Sequence, residues 1–403
     1  MLTPYMPFPP SAGGQIRSYN LIKHLGKRHE IHLVALVKND DEKRYAKQLK
    51  KFCKKIYVCK RSESPWTPTN ILKSVIGMYP FLVVRNYSRE AEITVQKLLS
   101  SQTFDLIHAE TFYIMPHIPQ TAIPIFLVEQ TIEFMVYQHF VNRIKFPFLR
   151  PFFLPDILKL KYWERTFWKR ARLVGAVSEE DEAKMHELVP HLKTTTIPNA
   201  AGEDLLHIYA PIKKTIKPVF LYIGNYSWLQ NVEGAQILMR SIFPLIKKII
   251  PEASCIIAGQ RALEKLGHES GDGIEIVDIP ATDTKEKVVD VYSRSSIFLA
   301  PLEGPGGTRL KVLGAMAAGI PVVSSQTGIS GLEVTHGKDV FIAQTREEFA
   351  QYSVQLLKDL QLYNRMRQNA HKLIENVYSW DSISQKLEKI YLALTQSYHA
   401  RRN

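Results

Sequence analysis

The chain has 403 residues, 45% hydrophobic and 23% charged, a globular balance that is too long for one ordinary core and suits two domains. Its formal charge of +13 favours anionic partners: nucleic acid, anionic lipid or phosphorylated small molecules. No apolar run is long enough to span a bilayer, the first ten residues lack a signal-peptide pattern, and Cys53, Cys59 and Cys255 show neither metal-ligand spacing nor a disulfide framework, so a cytoplasmic protein with packing cysteines is expected.

The chain opens on Leu2 and Thr3, followed at once by a loop ending in Gly13 and Gly14 and by an amphipathic helical stretch over 15–25. Doubly wound domains enter such a loop from a full central strand, so the first strand is expected to be cut short, by a misplaced start codon or a partial sequence. Strand-like runs at 31–36, 55–59, 104–108, 123–128 and 173–178 alternate with helical stretches such as 88–99. That alternation predicts a parallel sheet with crossover helices. His108 and His117 read as structural histidines, whereas Gln130 and Glu133 follow a buried strand at its C-terminal end, where α/β sheets place ligands.

Residues 141–155 and 159–170 interleave aromatic with basic side chains. Two readings stay open for them: a membrane-surface element with Lys and Arg meeting anionic headgroups, or a helix that packs its Trp and Phe inside and solvates its charges. No recognition motif accompanies the patch, which argues against nucleic acid. A polar, proline-bearing stretch over 197–204 and 210–218 marks a linker. The pattern then repeats, with strands at 219–224, 254–259, 274–277, 297–300 and 321–324 and a helix from about 231 to 248. Gly224 and Asn225 end the first strand of this second half, and 380–394 has the helical spacing to cross back to the first. The expected domains are 1–208, 209–377 and a C-terminal helix over 378–403.

Residues 300–324 carry the clearest chemistry, a strand running into a glycine-rich turn and then a helix. Gly304, Gly306 and Gly307 let backbone N–H groups approach an anion, Thr308 can cap the helix, and Arg309 and Lys311 add positive charge where the helix dipole is already positive. The pattern predicts a ligand bearing phosphate.

The order and spacing of several segments resemble the glycosyltransferases of family 4, the group 1 glycosyltransferases. These segments are Pro-Pro-Ser-Ala-Gly-Gly-Gln-Ile-Arg17, Val177-Ser-Glu-Glu-Asp181, Ile197-Pro-Asn199, the stretch from Tyr222 to Asn231, Ile257-Ala-Gly259, and the glycine-rich turn through Gly328-Ile-Ser-Gly-Leu332. The resemblance implies an α/β GT-B fold: two facing Rossmann-like, doubly wound parallel-sheet domains, with a C-terminal helix crossing back to the first. It implies transfer of a sugar, with retention and without a metal or cofactor, from a nucleotide-sugar such as a UDP- or GDP-sugar to a glycan or lipid-linked acceptor. Assembly of cell-surface polysaccharide is the expected setting, in the cytoplasm or at the inner face of an anionic membrane.

By the same resemblance Gly306, Gly307 and Thr308 supply hydrogen bonds to the donor diphosphate, with Arg309 and Lys311 as counter-charges in place of a metal. Gly13 and Gly14 correspond to the first-domain glycine loop, and Gly224 and Asn225 to the mouth of the second domain. Relatives carry Arg and Lys shortly after that strand, and this chain has neither, so Arg309 and Lys311 take over the charge. Gly314 stands where the ribose-holding glutamate is expected, leaving Glu303 or the backbone for that contact, and Gln130 stands where relatives place a histidine. Gln130 and Glu133 are thus the candidate catalytic residues. Two alternatives to a working transferase stay open: a catalytically weak sugar-nucleotide-binding partner in a glycan-assembly complex, and a GT-B epimerase.

Overall fold

Apolar runs buried on both faces form the central strands of two parallel sheets, as expected where helices cover a sheet on either side. The structure, a computed structural model, describes residues 1–400 except 145, 211–215, 268–270, 281–283 and 305–309. The chain divides into two units, one comprising Met1–Pro198 with Ser384–Asn403 and the other Asn199–Ile383.

The first unit contains β1 (Leu2–Thr3), β2 (His32–Val37), β3 (Lys55–Lys60), β4 (Ile107–Glu110), β5 (Ile125–Glu129), β6 (Leu173–Ala176) and β7 (Thr194–Thr196). Their order across the sheet is β3-β2-β1-β4-β5-β6-β7. The two residues of β1 sit at the centre: Leu2 pairs with Val34 on one side and Ala109 on the other, and Thr3 pairs with Ala35. Strand order therefore reverses between β1 and β4, which opens a crevice beyond their C-terminal ends. Helix Gly13–Leu25 starts from the glycine loop after β1. Ser88 and Ser178 cap helices Arg89–Ser101 and Glu179–Leu188 by accepting from the N–H groups of Ala91 and Asp181.

The second unit contains β8 (Val219–Asn225), β9 (Ser254–Gln260), β10 (Ile274–Asp278), β11 (Ile297–Ala300), β12 (Val322–Ser324) and β13 (Phe341–Ile342), ordered β10-β9-β8-β11-β12-β13. The plan repeats, with the reversal between β8 and β11. Alternation along β8 sends Phe220 and Tyr222 into one core and Leu221 and Ile223 into the other, so this sheet is buried on both faces. The long helix expected over 231–248 forms as Leu229–Ile237, a π-helical turn at Leu238–Ile242, and Phe243–Ile249. Pro244 has no N–H to give the Arg240 carbonyl, and the ladder shifts just before it.

Helix Trp380–His399 begins in the second unit and ends in the first. There Glu388 pairs with Arg28 at 3.1 Å and lies 3.4 Å from His29. All three cysteines are buried and free. Burial raises the thiols of Cys53 and Cys59 to about 11, in keeping with packing roles.

Candidate active site

Each unit carries a cluster of polar side chains at its point of strand reversal. In the first, the chain leaves β1 through Tyr5 and returns at Gly13 and Gly14. A Cβ on Gly14 would lie 2.4 Å from the Tyr5 hydroxyl and 2.8 Å from Gln130 Oε1, so only glycine fits there. Two of the expected site positions, Gly14 and Gln130, are thus in contact. Gln130 Nε2 donates to the Tyr5 hydroxyl at 2.9 Å and to Glu110 Oε2 at 2.8 Å. The facing carboxylate fixes which end of the amide is nitrogen, and Oε1 is left as an acceptor beside the glycine loop.

Glu110 organises this half of the site. Its Oε1 lies 3.0 Å from His108 Nε2 and 3.8 Å from Arg17 Nε, and Arg17 and Glu110 are both fully buried. Arg17 Nη1 also donates to the carbonyls of Ile197 and Pro198, at 3.1 and 3.2 Å. Burial pushes the Glu110 carboxyl upward, but the His108 hydrogen bond, the charge of Arg17 and the Gln130 amide together bring it below its ordinary value. Burial lowers His108. Neutral His108 then donates from Nε2 to Glu110 and accepts at Nδ1 from the Tyr391 hydroxyl on the C-terminal helix. His108 and His117 are structural, as expected: His117 accepts from the Ser88 N–H at Nε2, and its Nδ1 lies 2.8 Å from the Ile114 carbonyl.

Sequence reasoning missed Glu110, Tyr5 and the role of Arg17. The signal was present, since His108 and Glu110 are two apart on one strand and therefore share a face.

A second carboxylate group adjoins the end of β5. Glu129 accepts from Trp168 Nε1 at 2.9 Å and from the Phe112 N–H at 3.3 Å. Glu164 accepts from the N–H groups of Glu133 and Phe134, at 2.8 and 3.2 Å. It thereby caps helix Glu133–Asn142, whose own cap residue, Ile132, has no side-chain acceptor. Burial raises both Glu129 and Glu164, reinforced by the negative charge of Glu164 on the first and Glu133 on the second.

Glu133 itself is half-buried, and burial, opposed by Arg85, lifts it to about 7. A carboxyl titrating there suits proton transfer near neutral pH. A raised carboxyl means that the folded chain holds the proton more tightly than the unfolded one. Its contribution to stability is therefore full below the ordinary carboxyl range and is lost as pH rises to about 7. Glu133→Gln should accordingly gain stability relative to the parent across that window and hold a constant difference above it. Denaturant melts at a series of pH values would check this; a difference that does not change with pH would refute it.

In the second unit Gly224 and Asn225 end β8 beside the reversal. Asn225 Nδ2 donates to Gln260 Oε1 at 2.8 Å, its Oδ1 accepts from the Ser227 N–H at 2.9 Å, and its carbonyl accepts from Asn231 Nδ2 at 2.8 Å. Asn231 in turn accepts from Lys311 Nζ, which lies over the Tyr222 ring, 4.7 Å from its centre, and 3.3 Å from its hydroxyl. Lys311 lies in the first turn of helix Leu310–Ala317. The expected donor residues Asn225 and Lys311 are therefore joined through Asn231, which sequence reasoning did not single out. Gly306, Gly307, Thr308 and Arg309 lie outside the described residues.

Gly314 has a packing reason. A Cβ there would stand 2.8 Å from the Tyr292 hydroxyl and 2.9 Å from Leu205 Cδ1, so the helix has no room for a glutamate. Glu303 is exposed and pairs with Arg346 at 3.1 Å.

Comparison with known proteins agrees with the two-unit fold. Residues 217–359 match the family model described as glycosyl transferases group 1. Sucrose-phosphate synthase of Thermosynechococcus elongatus superposes with a TM-score of 0.71 at 15% identity, over 98% of each chain. HepE of Anabaena, solved with UDP-glucose, gives 0.65 at 15% identity, over 97% of this chain and 98% of that one. WaaG, a glycosyltransferase involved in lipopolysaccharide biosynthesis, gives 0.63 at 15%, over 97% and 98%. An uncharacterised 44.6 kDa protein in the cps region of Klebsiella pneumoniae is 22% identical, over 92% of this chain and 94% of its own. Residues 217–359 thus match group 1 glycosyl transferases, and the two-unit fold is of the GT-B kind.

Proposed function

We propose that the protein is a family 4 glycosyltransferase that moves a sugar from a nucleotide-diphosphate sugar to a glycan or lipid-linked acceptor. Transfer proceeds with retention and without a metal ion, in the building of cell-surface polysaccharide. The second unit takes the donor and the first the acceptor. The observation that carries this reading is the chain from Asn225 through Asn231 to Lys311, which aims a fixed cation at the reversal of the second sheet.

A diphosphate leaving group needs such charge where its oxygens become more negative, and Lys311 with Arg309 supplies it. UDP is the favoured nucleotide, since HepE was solved with UDP-glucose. Retention by the donor's own phosphate oxygen spares the protein a dedicated base at position 130. There the Gln130 carbonyl oxygen accepts a sugar hydroxyl, and Glu133 serves the same end of the sheet. Polysaccharide assembly is favoured by the cps-region relative and by WaaG. The protein works in the cytoplasm, in peripheral contact with the inner face of an anionic membrane.

A thermal-shift panel of UDP-, GDP- and ADP-sugars tests the donor site. A matching donor at a hundred times its Kd adds about 2.7 kcal/mol and visibly raises the melting temperature. No rise with any of them would remove the assignment. A rise without turnover on any acceptor would instead identify a sugar-nucleotide-binding partner, and the anomeric configuration of the product tests retention.

A further inference from the structure

Helix Pro68–Ile76 is inside out. Its buried residues are polar: Asn70 donates to Ser62 Oγ at 2.9 Å and to the Pro65 carbonyl at 3.0 Å, and Ser74 Oγ donates to Asp156 at 2.9 Å. Its apolar residues point outward instead. Val75, Ile76 and the following Met78 are 71%, 76% and 75% exposed, and Ile71 and Leu72 are exposed beside them. A helix in a water-soluble fold normally buries the apolar side, so this one is built to meet something other than water.

A second apolar element is clamped to it. The 3₁₀ segment Pro147–Phe153 buries none of its residues, and Phe146, Phe148, Phe152, Leu154 and Leu158 are exposed on and around it. Asp156 accepts from Ser74 Oγ and from the Phe81 N–H at 2.8 Å. Lys159 Nζ donates to the carbonyls of Ser74 and Gly77, each at 2.7 Å, and Trp163 Nε1 to that of Met78 at 2.9 Å. The clamp is thus the start of helix Leu154–Arg170, which follows directly on the 3₁₀ segment: its Asp156, Lys159 and Trp163 hold the end of helix Pro68–Ile76 and the residues after it, and the apolar side chains are left outside.

Charge selects the occupant. Residues 141–170 hold eight Lys and Arg against two acids, Asp156 and Glu164. Asp156 is committed to Ser74 and Phe81 and Glu164 is fully buried, and of the eight cations Lys159 and Arg170 are likewise spent on backbone carbonyls, so the balance stays strongly positive. A symmetric pair of chains would set this positive surface against itself, whereas anionic headgroups would neutralise it. Among the described residues no helix is long and apolar enough to cross a membrane, so the element would lie on the surface. We infer that the first unit docks on an anionic lipid bilayer through the ridge made by helix Pro68–Ile76 and segment 146–158. The inference deepens the proposed function and rests on it, since a lipid-linked acceptor would be presented in that same bilayer.

The test is sedimentation of the full chain with vesicles of phosphatidylcholine alone or mixed equally with phosphatidylglycerol. Two double variants accompany it, Val75→Asp with Ile76→Asp and Phe148→Asp with Phe152→Asp. The parent should sediment with the mixed vesicles, and each variant should lose more than about tenfold in binding while keeping its melting temperature and donor-induced shift. The inference is overturned by equal binding to both vesicle types, by none to either, or by undiminished binding of the variants. It is equally overturned if the parent is a dimer that the substitutions turn into monomers, because the ridge then belongs to a second copy. Vesicle binding without any donor-induced shift would sink the transferase reading alone.

Discussion

Glu110→Gln is expected to destabilise the first unit by about 3 to 5 kcal/mol, the cost of leaving one member of a buried ion pair uncompensated. Arg17 and Glu110 are both fully buried, and the carboxylate also receives Gln130 Nε2 and His108 Nε2. The substitution removes the carboxylate that faces the Arg17 charge, while Arg17 Nη1 keeps its bonds to the Ile197 and Pro198 carbonyls. For a unit of this size the melting transition should fall by roughly 10 °C. Calorimetry would read the drop. Adding Arg17→Met should recover part of it, because the buried positive charge goes too, and that recovery measures the coupling between the two. A single variant within about 1 kcal/mol of the parent would mean that the pair is not a working ion pair.

Lys311→Met should have the largest kinetic effect. Methionine keeps much of the stem's packing over Tyr222 and removes the ammonium that reaches Asn231. Loss of a fixed charge aimed at a leaving group costs about 10²- to 10³-fold in kcat/KM. Steady-state transfer from the donor chosen by the thermal-shift panel checks this. If Lys311 served only to tie Tyr222 and Asn231 together, the variant would melt earlier and turn over normally, which is the opposite pattern.

Much of this architecture was legible because hydrophobic runs alternate with helical spacing along both halves. The ends of β8 and β5, with Gly224, Asn225 and Gln130, could be placed from that pattern alone. Other parts depend on contacts far apart in sequence. Gly314 reads as a missing glutamate until Tyr292 and Leu205 are seen to fill the space beside it. Glu110 lies beyond the strand expected at 104–108, and only the fold brings Arg17, 93 positions earlier, to it. The edge strands β7 and β13 carry three and two residues, too few for periodicity to register. Helix Pro68–Ile76 was missed for a different reason: its pattern gives the apolar face, and only the fold shows that this face is outside.

The C-terminal helix also bears on how the protein is made. The second unit is one continuous stretch, Asn199–Ile383, whereas the first is assembled from the segments that precede and follow it. Tyr391, which completes the hydrogen-bond chain through His108 to Glu110, is synthesised after the whole of the second unit. Synthesis from the N-terminus would ordinarily let the first unit fold first. Here the second can be complete while the first still lacks its closing residues, so the half built around the buried Arg17 and Glu110 reaches its final state last.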